Sequence, residues 1–284
     1  MGQEVSVKQL APDAPLLAAD DAVVPRGPVG TFLRATAVIV ELEIRKLRHD
    51  SSELFTRAIQ PFLWLVLFGQ VFTRVRGIPT GHLRYLDFMA PGVLAQSVLF
   101  VAIFYGIQAI MERDQGVIVK FLVSPVPRSA LVLGKALAAG VRGVSQCLII
   151  YLLAAWLHVH LNLRPLAILG VIVTVVLGAA LFSTFSLIIA CVVKTQQRVM
   201  GIGQIITMPL FFASNAIYPI DIMPPWMQVV SHLNPLTYEV DALRTLMLQG
   251  VTSPYGVGVD LAILTTVTAV LIAIGGVMYP RIVT

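Results

Sequence analysis

Six apolar runs of 16 to 28 residues lie between positions 58 and 279, too many for a single chain of 284 residues to hide in a water-soluble core. Runs of that length match a bilayer, whose hydrocarbon core takes about 20 apolar residues per spanning helix. Composition agrees: the chain is 57% hydrophobic and 12% charged, roughly half the charged fraction of a soluble domain. Spanning β-strands would read as segments of about ten residues alternating apolar and polar, and the runs do not alternate. The sequence therefore predicts an all-α polytopic membrane protein with six transmembrane helices, at about 58–73, 88–111, 136–157, 166–193, 199–218 and 259–279.

Three regions follow. Residues 1–29 mix Ala, Pro, Gly and acids such as Asp13, Asp20 and Asp21 without an apolar period, which reads as a flexible cytoplasmic tail. It is not a signal peptide, because the first long apolar run begins only near Ala58. Over 30–57, Phe32, Leu33, Ala37, Val40, Ile44 and Leu47 recur at helical spacing among Arg34, Glu41, Arg45 and Lys46, predicting an amphipathic interfacial helix. Residues 58–284 hold the six spans. Fifteen of the 20 basic residues fall on one side when both termini are placed inside, against Arg74, Arg76, Arg84, Arg164 and Arg244 outside. Cytoplasmic loops carry that excess, so both termini are expected in the cytoplasm and the net charge of +5 does not point to nucleic acid.

Two segments between spans carry chemistry. The inner loop opens with Glu112, Arg113, Asp114, Gln115 and Gly116, continues as a short apolar helix through Phe121, and ends at Pro125 and Pro127. Its apolar side chains suit a groove on another protein, or else an interfacial helix with a polar collar. The outer segment 218–249 is cut by Pro219, Pro224, Pro225 and Pro235 into pieces too short to span. Trp226, Val229, Val230 and Leu233 share one face; Asn234 caps and Pro235 starts a second helix presenting Leu236, Val240, Leu243 and Met247, with Tyr238 beside them. Such a pair predicts either a re-entrant hairpin shielded by protein or a hairpin flat on the surface.

Polar side chains inside the runs are mostly amides, among them Gln60, Gln96, Gln146 and Asn215. They read as interhelical hydrogen bonds or as a substrate path, for which Gln60, Gln96 and Asn215 are the candidates. Arg142 is a lone cation within a run and calls for pairing, function or snorkelling. No carboxylate lies inside a span except Asp260 at a margin, which disfavours an ion-driven carrier. His158 and His160 have no acidic neighbour in sequence, and Cys147 and Cys191 sit in apolar runs, so neither catalytic residues nor a metal site is expected. There is no G-x-x-x-x-G-K-[ST] phosphate loop; any ATP and magnesium belong to another chain.

The amphipathic helix, six spans, the Glu-Arg-Asp-Gln-Gly loop with Phe-Leu-Val-Ser-Pro-Val-Pro-Arg after it, and Asn234-Pro235-Leu236-Thr237-Tyr238 before the last span resemble a permease of the type-2 ABC exporter family. Within that family the likeness is to the daunorubicin-resistance-type drug permeases of actinobacteria. The resemblance implies that residues 112–122 dock on a cytosolic ABC ATPase, two copies of which serve a dimer with a second permease subunit, identical or not. It implies further that the 219–249 hairpin, with Trp226, Asn234, Pro235 and Tyr238, gates the outer end of the pathway. Location in a bacterial cytoplasmic membrane and export of a drug, lipid or glycolipid are then expected; export of a polysaccharide or lipid-linked glycan, or a non-transporting scaffold, are the alternatives. The short segment from Arg74 to Asp87 replaces the large external domain of longer members, which argues against a periplasm-spanning role.

Overall fold

A computed structural model of the chain describes residues 28–49, 58–75, 78, 80, 81, 83–116, 128–193 and 195–279. The N-terminal tail and the loop position Phe121 lie outside the described residues. The helices are α1 (Pro28–His49), α2 (58–75), α3 (Tyr85–Asp114), α4 (Arg128–Trp156), α5 (Pro165–Val193), α6 (Gln196–Phe212), α7 (Pro225–Leu233), α8 (Pro235–Met247) and α9 (Val257–Met278). Among the described residues the only β pairing is a single bridge between Leu161 and Leu248.

Four helices, α3, α4, α5 and α9, are long and apolar enough to cross a bilayer. The other two expected spans are shorter in the described residues. α2 is interrupted by a π-helical turn at Trp64–Gly69, and α6 stops at Phe212, where 213–218 turn away instead of extending the helix. The remaining boundaries fall within a few residues of the hydropathy reading, except that α4 starts eight residues earlier than expected.

α5 is the hub. It packs against α3, α4, α8 and α9, and its buried surface is mostly small: Gly178, Ala179, Ala180, Ser183, Thr184, Ser186 and Ala190. Apolar burial gives little drive between helices in lipid, so small residues that let backbones approach are how such helices associate. Ser186 crosses to α3, its Oγ donating to the Ile103 carbonyl at 2.5 Å. Several other buried hydroxyls bond back to their own helix, as Ser97 to Val93 O at 2.8 Å and Thr184 to Ala180 O at 2.7 Å, which satisfies these donors away from water.

α1 packs on α4 with Thr36 buried and Ile39 against Gly134. Of the expected apolar stripe, Leu33, Ala37 and Ile44 stay exposed, while Phe32 and Val40 are half-buried. The close contact with a glycine on α4 therefore falls beside the stripe that periodicity marks. Between α5 and α6 the chain turns within a few residues, the tight hairpin expected from Lys194 to Arg198.

Candidate functional site

At one end of the bundle the turn after α6, α7, α8 and the loop before α9 enclose a cleft of about 430 Å³. Its base is a buried polar cluster. Asn215 Nδ2 donates to Asp241 Oδ1 at 2.5 Å, Arg244 Nη2 donates to the Asn215 carbonyl at 2.7 Å, and Arg244 Nη1 lies 3.5 Å from Asp241 Oδ1. The Arg244 guanidinium also sits 3.9 Å above the centre of the Phe88 ring, a cation–π contact that strengthens away from water. Burial pushes the Asp241 carboxyl up against the opposing pull of Arg244 and the Asn215 hydrogen bond. The same burial brings Arg244 down to about 10. Asp221, His232 and Tyr255 line the outer part of the cleft, with the Tyr255 hydroxyl and His232 Nδ1 2.7 Å apart.

The joint between α7 and α8 holds this cluster in place. Asn234 accepts from Leu236 N at 3.0 Å as the expected N-cap, and its Nδ2 donates to the Leu210 carbonyl of α6 at 2.6 Å. Pro235 occupies the first turn, where no backbone donor is needed. Tyr238 donates to the His232 carbonyl at 2.7 Å. Leu236, Val240, Leu243 and Met247 are fully buried. The other expected apolar face is not buried: Trp226 and Leu233 are 67% and 79% exposed, and Val229 and Val230 are open too. Asn234, Pro235 and Tyr238 thus come together, while Trp226 stands apart on the outward face of α7.

The candidate path amides separate in the structure. Asn215 lines the cleft beside α7 and α8, Gln60 lines a different groove on α2, and Gln96 is 2% exposed in the core of α3. His160, without an acidic neighbour in sequence, has one in space: its Nδ1 is 3.1 Å from Asp87, which Arg84 also holds at 3.0 Å. Cys147 and Cys191 are buried and unpaired with each other. Among the described residues no three His, Cys, Asp or Glu side chains gather where they could hold a metal.

Sequence reading passed over the acids of α8. Glu239 is completely buried against Gly178 of α5, with neither carboxylate oxygen hydrogen-bonded; burial raises its carboxyl well above the usual range, because desolvation disfavours the charged form. A signal was present: Glu239 follows Leu236 by three positions and precedes Leu243 by four, which puts it on the same helical face as the buried leucines. A search for charges confined to the long apolar runs skips it.

At its far end α3 stops at Asp114 with Gln115 as its C-cap, and Gly116 takes the left-handed conformation at φ 71°, the usual way to leave a helix. Glu112 is not a free docking charge. It forms an ion pair with Lys135 of α4 and accepts from Gln108 Nε2 at 3.2 Å. Arg113 pairs with Asp114 at 2.7 Å. Arg142, one helix away, lies with its guanidinium carbon 5.2 Å from the Tyr105 ring centre.

A bundle of long apolar helices with a polar cleft at one end and a charged turn after α3 is the setting of a polytopic membrane protein. The chain belongs to the ABC-2 type transporter family, which matches residues 34–248. Membership makes it the membrane-embedded permease of an ABC transporter, associated with an ABC ATPase. It is 29% identical to a putative transport permease, ycf38, of Cyanophora paradoxa over 217 residues, 76% of this chain and 74% of the relative. It is 26% identical over 242 residues, 84% of each chain, to the daunorubicin resistance ABC transporter permease protein DrrB1 of Streptomyces coeruleorubidus. Similarity to the probable multidrug ABC transporter permease YbhR of Escherichia coli is 27% over 176 residues, 62% of this chain and 47% of that one.

Proposed function

We propose that this permease moves a hydrophobic or amphiphilic compound, a drug, lipid or glycolipid, out of the cytoplasm or inner leaflet, driven by ATP bound with magnesium on a separate ATPase. The observation that carries the cargo class is the likeness to a drug-resistance permease over 84% of each chain. The physical setting supports it: α2, α3 and α6 turn apolar or neutral side chains outward, including Gln60, Phe68, Phe104, Gln204 and Ile205. An amide hydrogen-bonds a passing polar group without trapping it as a buried counter-ion would.

In this reading α2 and α6 complete a set of six spans, both termini are cytoplasmic, and the membrane is the bacterial cytoplasmic one. Two copies, or this chain and a second permease, join along α2, α3 and α6 and bind two ATPases through the loop that begins at Glu112. The α7–α8 hairpin is re-entrant in the outer leaflet, with Trp226 and Leu233 toward lipid and the Asn215–Asp241–Arg244 cluster at the exit. Co-expression with the ATPase of the same gene neighbourhood, affinity purification in detergent and mass measurement should yield two permeases with two ATPases. A stable monomer that captures no ATPase would overturn the reading.

The Glu112–Lys135 pair sharpens the coupling assignment. Because Glu112 is spent inside the chain, it acts by orienting the loop that carries Gly116 onward to the ATPase. Lys135→Ala and Glu112→Ala are therefore expected to lower cargo-stimulated ATP hydrolysis by similar factors, several-fold each, with unchanged membrane insertion. A loss seen with Glu112→Ala alone would instead mean that Glu112 touches the ATPase directly.

A further inference from the structure

A second cavity, of about 400 Å³, lies far from the cleft beside α7 and α8. It is a groove over α3, with Gln60 of α2 on one side, Gln146 of α4 on the other, and Ser97, Phe100, Val101 and Phe104 as its floor. We propose that this groove is a lateral binding site for an uncharged aromatic amphiphile, whose polar group hydrogen-bonds Gln146 and whose apolar body lies on Phe100 and Phe104. The proposal rests on the amphiphile reading of the cargo and adds where, and in what chemical form, the cargo is first held.

Gln146 carries the argument. It is 1% exposed, and neither its Oε1 nor its Nε2 has a hydrogen-bond partner. It stands 18 residues from Arg128 and ten from Trp156 along α4, about 27 Å and about 15 Å from the two helix ends at ~1.5 Å per residue. At that depth water is not available to satisfy an amide, and an unmet polar group is costly. A ligand offering both an acceptor and a donor, such as a carboxamide or hydroxyl, completes it. Charge is disfavoured, because no ionisable side chain lines the groove and the Ser97 hydroxyl is already committed to Val93 O at 2.8 Å.

The shape agrees with such a guest. The volume lies in the range of small-molecule sites, about 300–1,000 Å³. Phe104 is 47% exposed, so an aromatic face is presented outward. Phe62 of α2, two residues beyond Gln60, and Trp156 of α4 stack with ring centres 6.2 Å apart and planes 22° apart. That contact ties together the two helices that supply Gln60 and Gln146.

The test uses the purified full chain in phosphatidylcholine nanodiscs, without ATPase, and N-phenylbenzophenone-4-carboxamide as an uncharged photoreactive probe. Irradiation followed by peptide mass spectrometry should place the label on α3 and α4 around Phe100–Phe104 and Gln146. Gln146→Leu should lower that labelling at least fivefold with thermal stability kept. Phe104→Ala, on an exposed side chain, should lower it as well and serves if Gln146→Leu misfolds. An excess of unlabelled benzanilide should compete, and a phenyltrimethylammonium salt should not. Labelling untouched by both variants, or equal competition by the cation, overturns the proposal. So does absent labelling together with Phe104→Cys crosslinking between copies, which would make the groove a subunit interface. Labelling without any ATP-driven export would leave the groove standing and remove the proposed transport function; export without labelling would do the reverse.

Discussion

Arg244→Met is expected to be among the most damaging single substitutions in the chain. It strips the guanidinium from a cluster in which Arg244 and Asp241 side chains are 9% and 4% exposed and removes the bond to the Asn215 carbonyl at 2.7 Å. Breaking one half of a buried ion pair costs on the order of 3–5 kcal/mol, because the other charge is left without compensation. Thermal unfolding in detergent should therefore show a large drop in midpoint. Asp241→Asn in the same background should recover part of the loss, since it removes the stranded carboxylate while keeping an acceptor for Asn215. Strictly additive single and double variants would show that the pair is not coupled.

The sign of the pH response follows from Asp241. Burial raises its carboxyl above the ordinary value, so the folded state binds a proton more readily than the unfolded one, and stability falls as pH rises from the unfolded value of about 3.9 through the folded one. Without Arg244 the folded value climbs further and the window widens. The deficit of Arg244→Met should accordingly shrink on moving from pH 7 toward pH 5. A deficit that grows on acidification would mean that a different group dominates.

Gly92→Ala is the second large effect. A Cβ at position 92 would run into the Ala216 carbonyl oxygen and lie 2.8 Å from its Cα, and backbone cannot swing aside as a side-chain tip does. Overpacking of this kind costs about 1–3 kcal/mol or more. The segment it displaces begins one residue after Asn215, so the Arg244–Asn215 bond should loosen together with the helix contact. Gly92→Ala combined with Arg244→Met should then cost less than the two separately. Full additivity, or a Gly92→Ala protein as stable as the parent, would contradict the close approach.

Much of the helix order was legible in sequence because hydropathy over about 20 residues is a strong signal in lipid. The starts and stops of α3, α5 and α9, the Asn234–Pro235 joint and the turn at Gly116 were readable for the same local reasons: long runs, capping chemistry and a residue that tolerates positive φ. The site was legible only in pieces. Asn234, Pro235 and Tyr238 were identified together. Asn215 was singled out without its partners, and Glu239, Asp241 and Arg244 were passed over because they lie between the long apolar runs. Their burial is decided by α5 and α3, which are distant in sequence.

By itself the sequence determined which segments are helical, which of them are long and apolar, and where caps and turns break them. Those properties depend on local composition, period and capping, and a bilayer enforces them strongly because every backbone polar group must be satisfied within the protein. Tertiary structure alone decided which faces meet. It turned Thr36 and Ile39 toward α4 instead of the more apolar stripe beside them, tied Glu112 to Lys135, left Trp226 exposed while burying Leu236, and gathered Asn215, Asp241 and Arg244 into one cluster. The physical reason is that hydropathy selects a membrane environment but barely distinguishes lipid from a neighbouring helix. The choice between them rests on close contacts at small residues and on a few long-range hydrogen bonds, which no local window of sequence contains.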